Sequence, residues 1–218
     1  MILKYYGHSL FTITLENGLV LLTDPYGDFY NYPRVRLNAN IVTISHHHFD
    51  HDSINMVVGN PTIIDTAGVH APAAGLVITG VPSKHDDSNG AKRGDNLIFV
   101  FEAEGLKLAH MGDIGHVVTD RQRCAIGTPD VLMLPVGGVF TTDAAAAAEN
   151  VRLLRPRVAV PMHYRTRYNA EMAIQTEKPF LDLMKAAPEP MPLCRLTKGD
   201  IGERPPVMML DIASDTIS

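Results

Sequence analysis

The chain has 218 residues, 45% of them hydrophobic, with two cysteines and no tryptophan. That length and apolar share fit a single folded domain over residues 1–218 and exclude a disordered chain, while Cys124 and Cys194 are too few for a disulfide scaffold and form no CxxC metal motif. Nineteen Lys and Arg against 24 Asp and Glu give a net charge of −5 with no basic run, which speaks against a nucleic-acid partner. No apolar run is long enough for a membrane span and no signal-peptide pattern opens the chain, so the expected location is cytoplasmic.

In chain order, residues 1–6, 10–15 and 19–23 carry strand patterns, and Glu16-Asn17-Gly18 marks the hairpin turn between the last two. Residues 39–44 form a short continuous apolar run, the pattern of a strand covered on both faces. Residues 61–64 and 76–81 read as strands, and 96–101 with Leu106–His110 repeat the hairpin pattern around Glu104-Gly105. Residues 131–134 and 157–160 read as buried strands. A helix capped by Thr142 or Asp143 runs between them to about Leu154, and 177–186 is expected as a second helix. Hairpins followed by alternating strands and helices imply two sheets with helices packed outside. Residues 16–24 echo 104–113, and 41–48 echo 157–164, which suggests a duplicated architecture.

Ten histidines stand out, and the segment Ser45-His46-His47-His48-Phe49-Asp50-His51-Asp52 holds four of them where a buried strand ends. Imidazole nitrogens and carboxylate oxygens are the usual ligands of zinc and similar ions. His46 and His48, two apart in an extended loop, can grip one ion, and Asp50 and His51 can turn towards a second. The bland alternative is a solvated loop with Asp50 or Asp52 as a cap, but capping does not call for so many histidines. Two metals need more ligands than this segment supplies. His163 follows the strand 157–160, and Asp113 follows the strand ending near Ala109, with Gly112 permitting close backbone approach. His163 is expected as a ligand and Asp113 as a metal bridge. His85, after strand 76–81, is expected to complete the first site, with His70 as its competitor.

This ligand order resembles the metallo-β-lactamase fold superfamily. The chain is more closely similar to the metal-dependent hydrolases of the L-ascorbate-6-phosphate lactonase-like group. Four segments carry the likeness: Gly7-His8-Ser9 with Thr23-Asp24-Pro25, then residues 45–51, 110–116 and 136–164. The resemblance implies an α+β fold, a four-layer αββα sandwich of two mixed sheets with outer helices, and metals at one sheet edge. It implies His46, His48 and His85 at the first site, Asp50, His51 and His163 at the second, and Asp113 between them. Two divalent ions would be held, zinc first, with manganese or iron also suited to such donors. The chain departs from the superfamily in having Asp52-Ser53 where a glycine is common, and in its short span between His51 and His85. It is too short for the inserted domain of the RNA-processing nucleases of this superfamily.

His8 and His116 resemble recurrent positions and join Asp50 as candidate catalytic residues, with a structural role as the alternative for each histidine. Asp24 is expected to support the metal loop or to form a plain Asp-Pro turn, His110 to be structural, and His47 to point away. The Tyr- and Arg-rich loops 26–34 and 163–168 could line a pocket for an anion or sugar, or bury an oligomer interface. The expected function is hydrolysis of a small-molecule lactone, ester or phosphodiester by a metal-bridging hydroxide oriented by Asp50. An iron-dependent oxidoreductase and a non-catalytic metal-dependent binding module are the alternatives on the same scaffold, and a homo-oligomer is left open.

Overall fold

A computed structural model describes residues 1–214. Its strands are β1 (Ile2–Gly7), β2 (Leu10–Thr14), β3 (Val20–Thr23), β4 (Leu37–Asn38), β5 (Ile41–Thr43), β6 (Val57–Val58), β7 (Thr62–Ile64), β8 (Gly68–Ala73), β9 (Leu76–Lys84), β10 (Asp95–Ala103), β11 (Leu106–His110), β12 (Val131–Pro135), β13 (Val158–Met162) and β14 (Cys194–Arg195). The α-helices are α1 (Asp120–Ile126), α2 (Ala144–Leu154) and α3 (Lys178–Met184). No helix of the described residues is long and apolar enough to cross a membrane.

Two six-stranded mixed sheets form, in the orders β14-β1-β2-β3-β5-β7 and β8-β9-β10-β11-β12-β13. Both share one pairing scheme: three antiparallel pairs followed by two parallel ones. The duplication suggested by sequence is therefore present in the topology. The echo of 16–24 in 104–113 lands on equivalent strands, β3 and β11. The echo of 41–48 in 157–164 is one strand out, because β5 matches β12 by position and not β13.

Burial on both faces explains why so many of these strands are apolar throughout. Tyr5, Phe11, Ile13, Leu21 and Ile41 face the second sheet and pack with Ile98, Val100 and Leu108. Their neighbours Tyr6, Leu10, Leu22 and Val42 point the other way, against Tyr26, Phe29, Tyr32 and Met56. Each such side chain contributes about 1.5–3 kcal/mol through removal from water.

The α+β sandwich of two mixed sheets is as expected, but its outer layers differ. α1 packs on β9, α2 on β12, and α3 on α2, so the helices cover the second sheet. The first sheet is covered by apolar loop residues between Tyr26 and Ala39, by the single turn Ile54–Met56, and by Met172 and Ile174.

Local chemistry accounts for the boundary shifts. Asp143 caps α2 by accepting from the Ala146 N–H at 2.8 Å, whereas the Thr142 hydroxyl donates to the Pro135 carbonyl. α1 is set by a capping box between Thr119 and Gln122, too short a helix to show periodicity. β13 runs on through Pro161 because it lies at a sheet edge, and Pro72 is accommodated in β8 by an irregular register between His70 and Ala73.

Candidate metal centre

Six strands deliver the site from their C-terminal ends: His8 follows β1, Asp24 follows β3, residues 45–51 follow β5, His85 follows β9, Asp113 follows β11 and His163 follows β13. His8, Asp24 and His163 leave their strands in the left-handed region, at φ of 54°, 40° and 51°. Such conformations are costly for side-chain-bearing residues, and they turn these side chains inward at the point where the strand stops. Gly112, at φ 53°, is required at its position, since a Cβ there would lie 2.4 Å from Asn96 Oδ1 and 2.6 Å from Ser45 Cβ.

One carboxylate oxygen sits at the centre. Asp113 Oδ2 lies 3.3 Å from His51 Nε2, 3.3 Å from His85 Nε2 and 3.1 Å from His163 Nε2. Donor atoms converge in three groups, each within 4.8 Å: His46, His48 and His85; His46, His51 and Asp113; and His8, His51 and His163. Asp50 Oδ2 lies 3.2 Å from His8 Nε2, which is itself 3.1 Å from His51 Nε2. The structure thus brings together every sequence-predicted ligand and adds His8 to the second cluster.

The neighbouring polar groups set ring orientation. The His51 Nδ1–H donates to Asp24 Oδ2 at 3.0 Å, which fixes the tautomer and leaves Nε2 facing Asp113. Ser45 gives Asp24 both its backbone N–H, at 2.7 Å, and its hydroxyl, at 2.6 Å. The same hydroxyl oxygen lies 3.0 Å from His46 Nδ1. Asn96 accepts the Asp113 N–H at 2.9 Å and donates to Ser83 Oγ and the Met111 carbonyl. Asn96 and Ser45 were not anticipated: Ser45 is masked by its ligand-rich neighbours, and nothing local marks Asn96 within a strand.

The electrostatics suit a cation. Burial pushes the His46 pKa down to about 3 and that of His8 to about 4, so both rings are neutral donors at pH 7. Burial lowers His85 as well, with Asp113 partly opposing it. Burial disfavours charge on Asp113 and Asp50, yet His163 and His51 around the first, and His8 and His51 around the second, hold both carboxyls below their usual range. His46 Nε2 and Asp113 Oδ1 are buried without a hydrogen-bond partner. Buried polar atoms are normally satisfied, and these two orphaned atoms, within a cluster of histidine nitrogens and carboxylates, fit a divalent metal site.

The sequence profile of the β-lactamase superfamily domain matches residues 2–163. The chain belongs to the metallo-β-lactamase superfamily. A UPF0173 metal-dependent hydrolase from Methanosphaera stadtmanae is 30% identical over 200 residues, covering 76% of this chain and 85% of that protein. One from Thermococcus onnurineus is 35% identical over 161 residues, covering 70% and 69%. Among solved structures, a candidate Zn-dependent hydrolase of the metallo-β-lactamase superfamily from Thermotoga maritima is 33% identical with a TM-score of 0.78, covering 96% of this chain and 97% of that one.

Within the superfamily scaffold, the remaining histidines lie apart from the cluster. His70, on β8, has its Nε2 3.0 Å from the Thr66 carbonyl and joins none of the donor groups found among the described residues. His116, expected as catalytic, is held by backbone instead: its Nε2 accepts from the Lys84 N–H at 3.3 Å, and its Nδ1 is 2.9 Å from the Val117 carbonyl. His110 is buried between the Ser9 carbonyl and the Gly112 N–H, a structural histidine as expected. His47 points outward, near Asp52 and Asp65.

A cavity of about 520 Å³ opens over His48, Asp50, His85, Asp113 and His163. Loop 26–34 contributes Phe29 and Tyr30 to its wall, but Arg34 turns away to pair with Asp28 at 2.8 Å. The arginines of loop 163–168 do not line it, and Arg167 lies over the Tyr168 ring at 4.8 Å.

Proposed function

We propose that this protein is a metal-dependent hydrolase that holds two divalent ions and cleaves a lactone, ester or phosphodiester bond in a small molecule. The observation that carries this reading is the single oxygen, Asp113 Oδ2, approached by three histidine Nε2 atoms from three different strand ends. The names of the relatives above support it. His46, His48 and His85 would hold one ion, and Asp50, His51 and His163 the other. An all-nitrogen-and-oxygen donor set suits zinc first, and manganese or iron as well.

When bound, such ions supply activation of a water and polarisation of the electrophilic oxygen. The protein's part is positional. Asp50, ionised and partly open to the cavity, is placed to accept a proton from an attacking water and to orient it. Neutral His8, donating through Nε2, holds the Asp50 carboxylate in place. Asp24 and Ser45 keep His51 and His46 aligned, and Phe29, its ring centre 4.6 Å from that of His8 and tilted to it by 53°, covers the His8 ring on that side.

Elemental analysis of protein purified without chelators, followed by a lactone, ester and phosphodiester panel, tests the reading. The expected result is about two ions per chain and a metal-dependent hydrolytic activity abolished in Asp50→Ala. Iron with oxygen-consuming activity, or full metal loading with no hydrolysis of any class, would overturn it.

A further inference from the structure

We infer that Arg93 is the specificity-determining residue of the cavity and selects substrates carrying a negatively charged group beside an apolar body. This deepens the hydrolase reading and rests on it.

Arg93 is the only lysine or arginine lining the cavity, and it is half-buried there. Its guanidinium carbon stands 5.4 Å from the centre of the Phe140 ring, a cation–π distance that orients the group without neutralising it. No carboxylate among the described residues pairs with it. The three acids of the same wall are otherwise engaged: Asp50 with His8, Asp113 with its three histidines, and Asp28 with Arg34. A half-buried guanidinium with no ion-pair partner among the described residues, at the wall of a ligand-sized cavity, is suited to hold an anion.

Both partners in this pair are held by built backbone. Arg93 ends a turn organised by Asp86, whose carboxylate accepts four backbone N–H groups, from Ser88, Gly90, Lys92 and Arg93, at 2.7–2.9 Å. Phe140 follows Val139, a β-branched residue at φ 64°, and its N–H donates to the Gly138 carbonyl at 2.7 Å. A β-branched side chain in the left-handed region is strained, and such strain concentrates at functional positions.

The rest of the cavity specifies the other half of the substrate. Phe29, Tyr30, Phe49, Phe140 and Met172 make its wall predominantly apolar. Phe49 is 72% exposed and Tyr30 48% exposed, which leaves large rings in water at the mouth beside the metal ligands. Apolar surface gathered there is what an acyl or aryl portion of a ligand would cover. Arg93 would then take the carboxylate, sulfonate or phosphate end.

A matched ester pair tests this on the metal-loaded full chain: 4-nitrophenyl hexanoate, and mono-4-nitrophenyl adipate, which adds a carboxylate at the far end of the same acyl length. Arg93→Gln is expected to lower the adipate-to-hexanoate ratio of kcat/KM by about tenfold or more, mainly through KM, and Arg93→Lys to restore part of it. Calorimetric binding of hexanesulfonate, a weak metal ligand, is expected to weaken by about tenfold or more in Arg93→Gln. An unchanged ratio, or equal loss on both esters in both variants, would overturn the assignment. If wild-type protein cleaves neither ester, the esterase reading fails, and sulfonate binding alone then decides Arg93: weaker binding in Arg93→Gln supports it and equal binding overturns it.

Discussion

Asp24 and His51 meet 27 residues apart in sequence, with Oδ2 of the first 3.0 Å from Nδ1 of the second, and neither side chain has any exposure to solvent. The contact fixes which nitrogen of His51 faces the metal centre. Asp24→Asn keeps the shape but replaces a charged acceptor with an amide. Metal affinity is expected to fall about 10–100-fold, with the fold retained, as chelator competition and circular dichroism would show. Unchanged affinity would mean that Asp24 only closes its turn.

His85 and His70 separate cleanly in space. His85→Ala should release about one of the two expected ions per chain and remove most of the activity. His70→Ala should retain both ions and wild-type rates. Elemental analysis of the two variants reads the difference, and the reverse pattern would refute the assignment of the first site.

Gly112→Ala forces a methyl group against Asn96 and Ser45 in a backbone conformation that alanine disfavours. A loss of about 1–3 kcal/mol in denaturant unfolding is expected. Weaker metal binding should accompany it, because both crowded residues support ligands. Stability equal to wild type would show that the Asp113 loop can move without penalty.

Asp86 carries a pH signature. Burial opposes its charge, but four backbone N–H donors outweigh this and lower its carboxyl from the usual 3.8 to about 2. A depressed folded-state value gives stability that is fully present above about 3.8 and is lost as pH falls towards about 2. The thermal-unfolding gap between wild type and Asp86→Asn should therefore be wide at pH 7 and close between pH 4 and pH 2. A gap constant across that range would show that the carboxylate charge contributes nothing to holding the turn.

Much of the site was legible in one stretch of chain. Residues 46–51 concentrate donors where an apolar strand ends, and His85, Asp113 and His163 repeat that strand-end placement, because a side chain at such a point can reach across the sheet edge. His8 was legible as a position but not as a member of the second cluster, since its approach to Asp50 and His51 depends on a left-handed turn after β1. His116 misled for the converse reason: its motif is local, whereas its two backbone partners are supplied by β9 and its own loop.

The sequence by itself determined ten of the fourteen strands, the paired hairpins, the donor types and the superfamily, since hydrophobic period and ligand spacing are written residue by residue, whereas β4, β6, β8 and β14 are short or irregular edge segments without that signal. Only the tertiary structure decided which oxygen stands among three histidines, which sheet takes the helices, and which arginine faces the cavity. Those depend on long-range register: one strand of slip would separate Asp113 from His163, and the place of Arg93 beside Phe140 rests on a turn and a strained loop nearly fifty residues apart.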